Sequence, residues 1–502
     1  MESYRNLEVF EEYQPARREL ERLIGELVEL ERTFGEHAEI EQHIGQRGQE
    51  IMRLLFQGHL NRLWQAEESR EDVVGAQGTP HRYARERCRT LMSVFGKVQV
   101  RRLGYSDHDT GSVFPLDARL NLPVELYSHG LRERVGEAVA AGSYESAIEQ
   151  IDRHTGGHVP KRQAEEMAQV LAVDFDRFYQ HREIVAEPGP QQKSKPDLLV
   201  MSVDGKGIVM RHEDLRDCTR QRAEGASHKL SSRLSRGEKR NRKRMATVAT
   251  VYEVAPHRRK AEDMMDPEAP RSQAPKPVNK RVWASVEHTV AQVLDECFAE
   301  AKRRDPDADR LWVMLVDGQE EQLRQVYAAI ERHEASVIVV QDFIHVLEYL
   351  WDAAWCLYQE GDPAAEQWVR DHAVGILEGK SSEMAAGMRR SATRQDLSQS
   401  ERAPLDKCAE YLLKNRDRLE YAHALKRGLP IATGVVEGAC RHLVKQRMEC
   451  SGARWSLKGA EAVLRLRALH MSGDWDAYRT FHKSQERLRN YPEWPAQQRL
   501  VA

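Results

Sequence analysis

The sequence predicts an α/β domain that carries an α-helical insertion and follows a mainly helical N-terminal region with a β-hairpin. Short apolar runs at 198–203, 245–254, 311–316 and 336–340 have the length of buried strands. Strands alternating with helical stretches are the pattern of a sheet with parallel neighbours. From 343 onward the chain reads helical to its end, and before 187 the apolar spacing is mostly that of helices.

In chain order, Leu20, Ile24, Leu27, Leu30 and Phe34 recur at steps of three and four, which predicts helix over 16–66. Val98 and Val100 alternate with polar neighbours and Gly96-Lys97 offers a turn, so 88–105 reads as a hairpin ending near Tyr105. Residues 128–182 return to helix. Ser143 can cap one helix running to about Thr155, Gly156-Gly157 breaks the chain, and Pro160 opens another. That is the outline of a helix-turn-helix, or of plain helix packing. Pro188, Gly189, Pro190 and Pro196 mark 187–196 as a linker, and the five prolines of 256–281 mark an exposed loop.

Composition narrows the function. Apolar residues make up 40% of the 502, and the formal net charge is −3, so affinity for nucleic acid must come from local patches. No run of 18 apolar residues occurs, which excludes a membrane-spanning helix, and the polar start Met1-Glu2-Ser3-Tyr4-Arg5 lacks the apolar core of a signal peptide. Seven scattered cysteines without a CxxC pair fit reduced thiols in a cytoplasm better than a disulfide framework or a zinc ribbon.

Two of the strands end alike, in Val203-Asp204-Gly205 and Val316-Asp317-Gly318. In open α/β sheets that edge is where ligands bind, and glycine allows close approach. Two carboxylates on neighbouring strands suit a hard cation such as Mg²⁺; alternatively each aspartate caps a turn. Further on, Thr433 and Gly434 break the chain and Glu437 opens a helix, with Arg441 and Lys445 expected one and two turns beyond on the same face. A cationic stripe beside a metal-binding carboxylate suits a polyanion; the plainer alternative is an N-terminal Glu favoured by the helix dipole.

The order strand–Asp, strand–Asp, helix–Glu resembles the RNase H-like catalytic domain of DDE transposases. More narrowly, Val203-Asp204-Gly205-Lys206-Gly207 and the stretch from Pro430 to His442 resemble bacterial insertion-sequence transposases of the ISKra type, relatives of the Mutator-like elements. Phe114-Pro115-Leu116-Asp117, Leu120-Asn121-Leu122-Pro123 and the hairpin with Phe95-Gly96 and Tyr105 extend the resemblance over nearly the whole chain. Ala432-Thr433 departs from the Gly-Ser expected there, but keeps a small residue and a hydroxyl.

The resemblance implies that Asp204, Asp317 and Glu437 are catalytic and hold two Mg²⁺ or Mn²⁺ ions, and that the chain cleaves transposon-end DNA and transfers the cut strand to a target. It further implies double-stranded DNA as partner, a homodimer or higher oligomer on it, and a bacterial, nucleoid-associated location. Asp342-Phe343-Ile344-His345 matches a motif of related transposases, which would make Asp342 and His345 orient the active site or DNA; the alternative is a helix cap with a packed histidine. The expected division is 1–127, a helical region with the hairpin; 128–186, helical, with the helix-turn-helix outline; 197–360 with 429–470, the RNase H-like domain; 361–428, the helical insertion; and 471–502, a C-terminal tail. The insertion follows from the 120 residues between Asp317 and Glu437.

Residues 216–244 hold eleven Lys or Arg against three acids. Charge runs are often merely solvated, but beside a phosphodiester site phosphate binding is the better account. The expected DNA contacts are Lys206, Arg233, Arg236, Lys239, Arg240, Arg242, Lys243, Arg244, Arg441, Lys445 and Arg454, with Trp455 either stacked on a base or buried in a core. Two rivals remain at this point: an RNase H-like nuclease that does not integrate, and a catalytically silent DNA-binding protein derived from a transposase.

Overall fold

A computed structural model describes residues 11–492 except 33–35, 72, 76–79, 82, 108–110, 183–197, 228, 231, 236 and 267–273. The proline-containing linker expected at 187–196 and Arg236 therefore lie outside the described residues. The chain forms two compact units, one from Met1–His181 with Asp474–Ala502, the other from Arg182–Gly473. No helix among the described residues is long and apolar enough to cross a membrane.

In the first unit, helices Gln14–Arg32 and His37–Gln65 precede a hairpin of β1 (Tyr83–Ser93) and β2 (Gly96–Ser106). Leu60 from the second helix packs with Leu91, Val98 and Val100 of the hairpin and with Leu122. No boundary falls at 127: Met92 N donates to Leu126 O and Ser128 N to Met92 O, which stitches 126–128 onto β1. Ser143 caps helix Tyr144–His154 as expected, its hydroxyl accepting from Ser146 N at 3.1 Å. Gly156 serves close approach. Its N–H donates to Val94 O at 2.8 Å, and a Cβ there would lie 2.3 Å from Phe95 O, so the glycine break is the seat of the hairpin tip. On the following helix, Lys161–Leu171, the exposed cations Lys161 and Arg162 pair with Glu145 and Glu166.

The C-terminal segment corrects the expectation of a tail. Residues Trp475–Asn490 form a helix of the first unit, held by Tyr478 Oη to Leu171 O (2.5 Å), His482 to Asp174 (2.7 Å) and Arg132 to Glu486 (2.6 Å). Its inward face includes His482 and Glu486, so it buries ion pairs where periodicity looks for apolar side chains.

The second unit is built on a five-stranded mixed sheet. In chain order its strands are β3 (Leu198–Val209), β4 (Lys243–Val254), β5 (Val278–Ser285), β6 (Leu311–Val316) and β7 (Val337–Gln341). They lie in the order β5-β4-β3-β6-β7; β3 pairs antiparallel with β4 and parallel with β6, and β6 pairs parallel with β7. Leu198, Val200, Val313, Leu315 and Val340 share one core with helices Phe343–Ala354, Pro363–Leu377, Ser381–Arg394 and Gln399–Lys414. Residues 361–428 are thus helical as expected but are packed into the sheet's own core. The alternate residues Leu199, Met201, Val203 and Val316 are buried too, which is why these strands read as unbroken apolar runs.

Two strand expectations needed correction. β3 does not stop at Asp204 but runs on to Val209, paired with β4 throughout. β5 begins inside the segment taken for an exposed loop. Its polar start, Asn279-Lys280-Arg281, concealed it, yet Arg281 is buried, donating to Glu300 at 2.6 Å and lying 4.3 Å over the Trp283 ring.

Glu300 gathers Arg281, Arg303 and Arg304 within 2.7 Å. Burial would raise its carboxyl, but the three guanidinium groups override that and hold it well below the usual carboxylate range. Removing one partner of a buried ion network costs about 3–5 kcal/mol. Glu300→Gln should therefore lower the unfolding free energy by about 3 kcal/mol in urea denaturation at pH 7. Because the folded-state value is depressed, the wild-type advantage is full above the ordinary value of 4.5 and shrinks as pH falls below it. An advantage that persists unchanged to pH 3 would contradict the ion-pair account.

Candidate active site

The geometry starts from strand register. Ser202 of β3 is level with Leu315 of β6, and Val316 of β6 with Gln341 of β7. Asp204 lies two residues beyond Ser202 and Asp317 two beyond Leu315, so they occupy equivalent positions on neighbouring parallel strands, whose spacing is about 4.8 Å. Asp342 follows Gln341 as Asp317 follows Val316. Three acidic residues thus stand level along one edge of the sheet.

Each is held differently. Asp204 is part-exposed, at the point where β6 ends and pairing with β4 continues; its Oδ1 accepts from Gly205 N at 2.6 Å and its Oδ2 from the Cys440 thiol at 3.1 Å. Burial, and then the Asp204 carboxylate, push the Cys440 thiol well above its ordinary value, so it stays a protonated donor. Asp317 is part-exposed, with Oδ1 accepting from Gln319 N at 2.9 Å. Its main-chain carbonyl accepts from Gln341 Nε2 at 2.7 Å, and Gly318 turns the chain at φ +91°, where a Cβ would collide with the same amide.

Asp342 is 0% exposed. Its carboxylate accepts from Ile344 N (3.1 Å), Thr433 N (3.2 Å) and Thr433 Oγ1 (2.7 Å). It caps a helix, as one of the two sequence readings had it, and also grips the segment ahead of Glu437. His345 Nδ1 stands 3.8 Å from Asp342 Oδ2, too far for a hydrogen bond, and 3.4 Å from Glu348.

Glu437 is exposed on the short helix Gly434–Ala439, and its Oε1 is 2.8 Å from Thr433 Oγ1. One hydroxyl carries one hydrogen, so Thr433 can donate to Asp342 or to Glu437 but not to both at once. The remaining oxygen–oxygen contact calls for a proton or a cation. Cys440, one turn after Glu437, carries this helix to Asp204. The helix of Glu437 is thus tied at one end to Asp342 through Thr433 and at the other to Asp204 through Cys440.

The helix then changes type. Residues Cys440–Lys445 are a π-helix, followed by Gln446–Met448 as α-helix. With i→i+5 bonding each residue turns less than the α-helical step of about 100°, so Lys445, eight residues on, comes nearer to Glu437's face than an unbroken α-helix would bring it. Arg441 and Lys445 are both exposed.

The other expected DNA contacts divide. Arg233, Lys239, Arg240, Arg242 and Arg454 are exposed, Lys206 is part-exposed, and Lys243 stands 3.4 Å from Glu449. Arg244 is engaged by the fold, donating to Val286 O at 2.8 Å and Asp214 O at 3.3 Å. Trp455 is 6% exposed: its indole donates to Met448 O at 3.1 Å and lies under the Arg447 guanidinium, and its main chain pairs with Val209 and Arg211. It offers no face to a base, so of the two readings the core one describes it.

Among the described residues no three His, Cys, Asp or Glu side chains already form a metal shell. The donors at the edge are nonetheless the carboxylate oxygens that hard cations take, and Glu437 and Asp342 meet across one hydroxyl hydrogen. In chemistry the set fits Mg²⁺ or Mn²⁺.

Comparison with family models gives a match over part of the chain. Residues 35–183 match the Uncharacterised protein family (UPF0236). That stretch ends before the acidic edge of the sheet begins. No curated protein sequence matches the chain.

The Thr433 hydroxyl is the testable joint of this site. Thr433→Val deprives a buried carboxylate of its shortest donor and should cost about 1–3 kcal/mol, whereas Thr433→Ser keeps the donor and should stay near wild type. Urea denaturation of the three proteins checks this; a Val variant as stable as the Ser variant would show that the hydroxyl holds nothing.

Proposed function

We propose that this chain is a transposase that cleaves transposon-end DNA and transfers the cut strand by metal-dependent phosphoryl transfer. The reading is carried by one observation: equivalent register positions on neighbouring parallel strands bear Asp204 and Asp317, and the Cys440–Asp204 hydrogen bond draws the helix of Glu437 to the same edge. The mixed sheet with β3 at its centre supports an RNase H-like reading of the second unit.

Asp204, Asp317 and Glu437 are the residues that would hold Mg²⁺ or Mn²⁺. Two such ions, when bound, supply activation of water and later of a 3′-hydroxyl, together with stabilisation of the leaving oxygen. The chain's own part is positioning. Asp204 and Asp317 present carboxylates from rigid strands, and Asp342 and Thr433 fix where the helix of Glu437 begins. Cys440 orients Asp204 without adding charge. Lys206, two residues past Asp204, and Arg441, one turn past Glu437, are cations placed for a phosphate backbone. Double-stranded DNA is the substrate in this reading, handled by a homodimer or larger assembly. An RNase H-like nuclease that does not integrate would share every one of these groups and lack only strand transfer.

Asp204→Asn should leave DNA binding within about twofold, since the cations lie elsewhere, and lower nicking in Mg²⁺ by a thousandfold or more, roughly the several kcal/mol a bound ion contributes. Gel assays of binding and nicking on DNA bearing the element's end measure both. Nicking at the wild-type rate would remove Asp204 from the active site.

A further inference from the structure

The cations of 216–244 do not form a uniform fringe. Arg233, Arg240 and Arg242, joined by Arg454 from the segment ahead of Trp455, line a cleft of about 440 Å³. Its remaining lining is mostly apolar, with Met210, Leu215 and Leu230 prominent, and no acidic residue lines it among the described residues. None of the four guanidinium groups is ion-paired to a carboxylate among the described residues.

The loop that carries the cleft is built. Glu238, the one acid of 225–244, turns inward and accepts from Lys229 N and Ser235 N, both at 2.8 Å. Asn241, at φ +47°, donates from its side chain to Arg222 O at 3.2 Å. One side of the cleft is fixed by the sheet, where Met210 N donates to Arg242 O at 3.0 Å and Arg211 N to Trp455 O at 2.8 Å. Arginines are thereby presented on both sides, with the Glu238 carboxylate engaged by main-chain amides.

The cleft is separate from the acidic edge. Met210 lies six residues along from Asp204, about 20 Å at strand rise, or roughly six base-pair steps of B-form DNA. It therefore cannot hold the phosphate that reacts at Asp204. The arginines suit phosphate, but a phosphate leaves an apolar floor unused, and the bases of an intact duplex are covered by stacking. An unpaired nucleotide uses both, with phosphate on guanidinium groups and base on apolar side chains and guanidinium planes.

We infer that this cleft binds one unpaired nucleotide of a DNA strand, at a distance from the reacting phosphate. The inference rests on the DNA reading given above and not on its metal chemistry. Full-length protein is titrated in EDTA with two oligonucleotides carrying 2-aminopurine, one placing it in a single-stranded overhang and one in a fully paired duplex. Wild type should bind the overhang about tenfold more tightly, with a change in 2-aminopurine fluorescence, since base stacking in such sites is worth this order. Arg240→Ala with Arg454→Ala should weaken both DNAs. Leu230→Ser, at a residue 47% exposed and so tolerant of change, should reduce overhang binding about threefold or more and leave duplex binding alone. Equal affinity for both DNAs with unchanged fluorescence would overturn the inference while leaving the DNA reading standing. Failure to bind either DNA would overturn both. Overhang binding without any nicking in Mg²⁺ would sink only the proposed chemistry.

Discussion

The acidic edge depends on one buried carboxylate. Asp342 is removed from water, and a buried charge is tolerable only with its hydrogen bonds filled. It fills them with Ile344 N at the start of its own helix and with Thr433 N and Oγ1, 91 residues away. Phe343 N to Ile431 O (2.8 Å) and Tyr421 Oη to Gln341 O (3.0 Å) reinforce the same joint. The end of β7 and the entry to the helix of Glu437 are thus one structural element. Together with the Cys440–Asp204 bond it fixes where Glu437 stands relative to the strands that carry Asp204 and Asp317.

Electrostatics in the second unit follow a division of labour. Where cations stabilise the fold they are matched by acids or carbonyls: Arg281, Arg303 and Arg304 around Glu300, Arg310 on Glu253 at 2.9 Å, Arg244 on two carbonyls. Where arginines border the cleft, none is paired with a carboxylate among the described residues. A nearly neutral chain can therefore still present a local cationic surface, which is what binding to a polyanion requires.

Much of this was legible in the sequence because it is local. The apolar run at 311–316 is β6 to the residue, and Thr433-Gly434 does start the helix that bears Glu437. The end of β3 was misread because Asp204, Gly205 and Gly207 look like a stop. In the sheet the glycines instead make room for the side chains of Met245 and Lys243 on β4. β5 and the C-terminal helix were hidden for a common reason: their inward residues include Arg281, His482 and Glu486, whose burial depends on partners far along the chain. The π-helix at Cys440–Lys445 has no periodic signature, and the Cys440–Asp204 bond, spanning 236 residues, leaves no local trace at all.

The central claim is that Asp204, Asp317 and Glu437 share divalent cations on DNA. Anomalous diffraction from crystals of the protein with end DNA in Mn²⁺ tests it most directly. The account predicts two manganese peaks about 3.5–4 Å apart, bounded by these three carboxylates. Manganese at other residues, with the acidic edge free of it, would contradict the account.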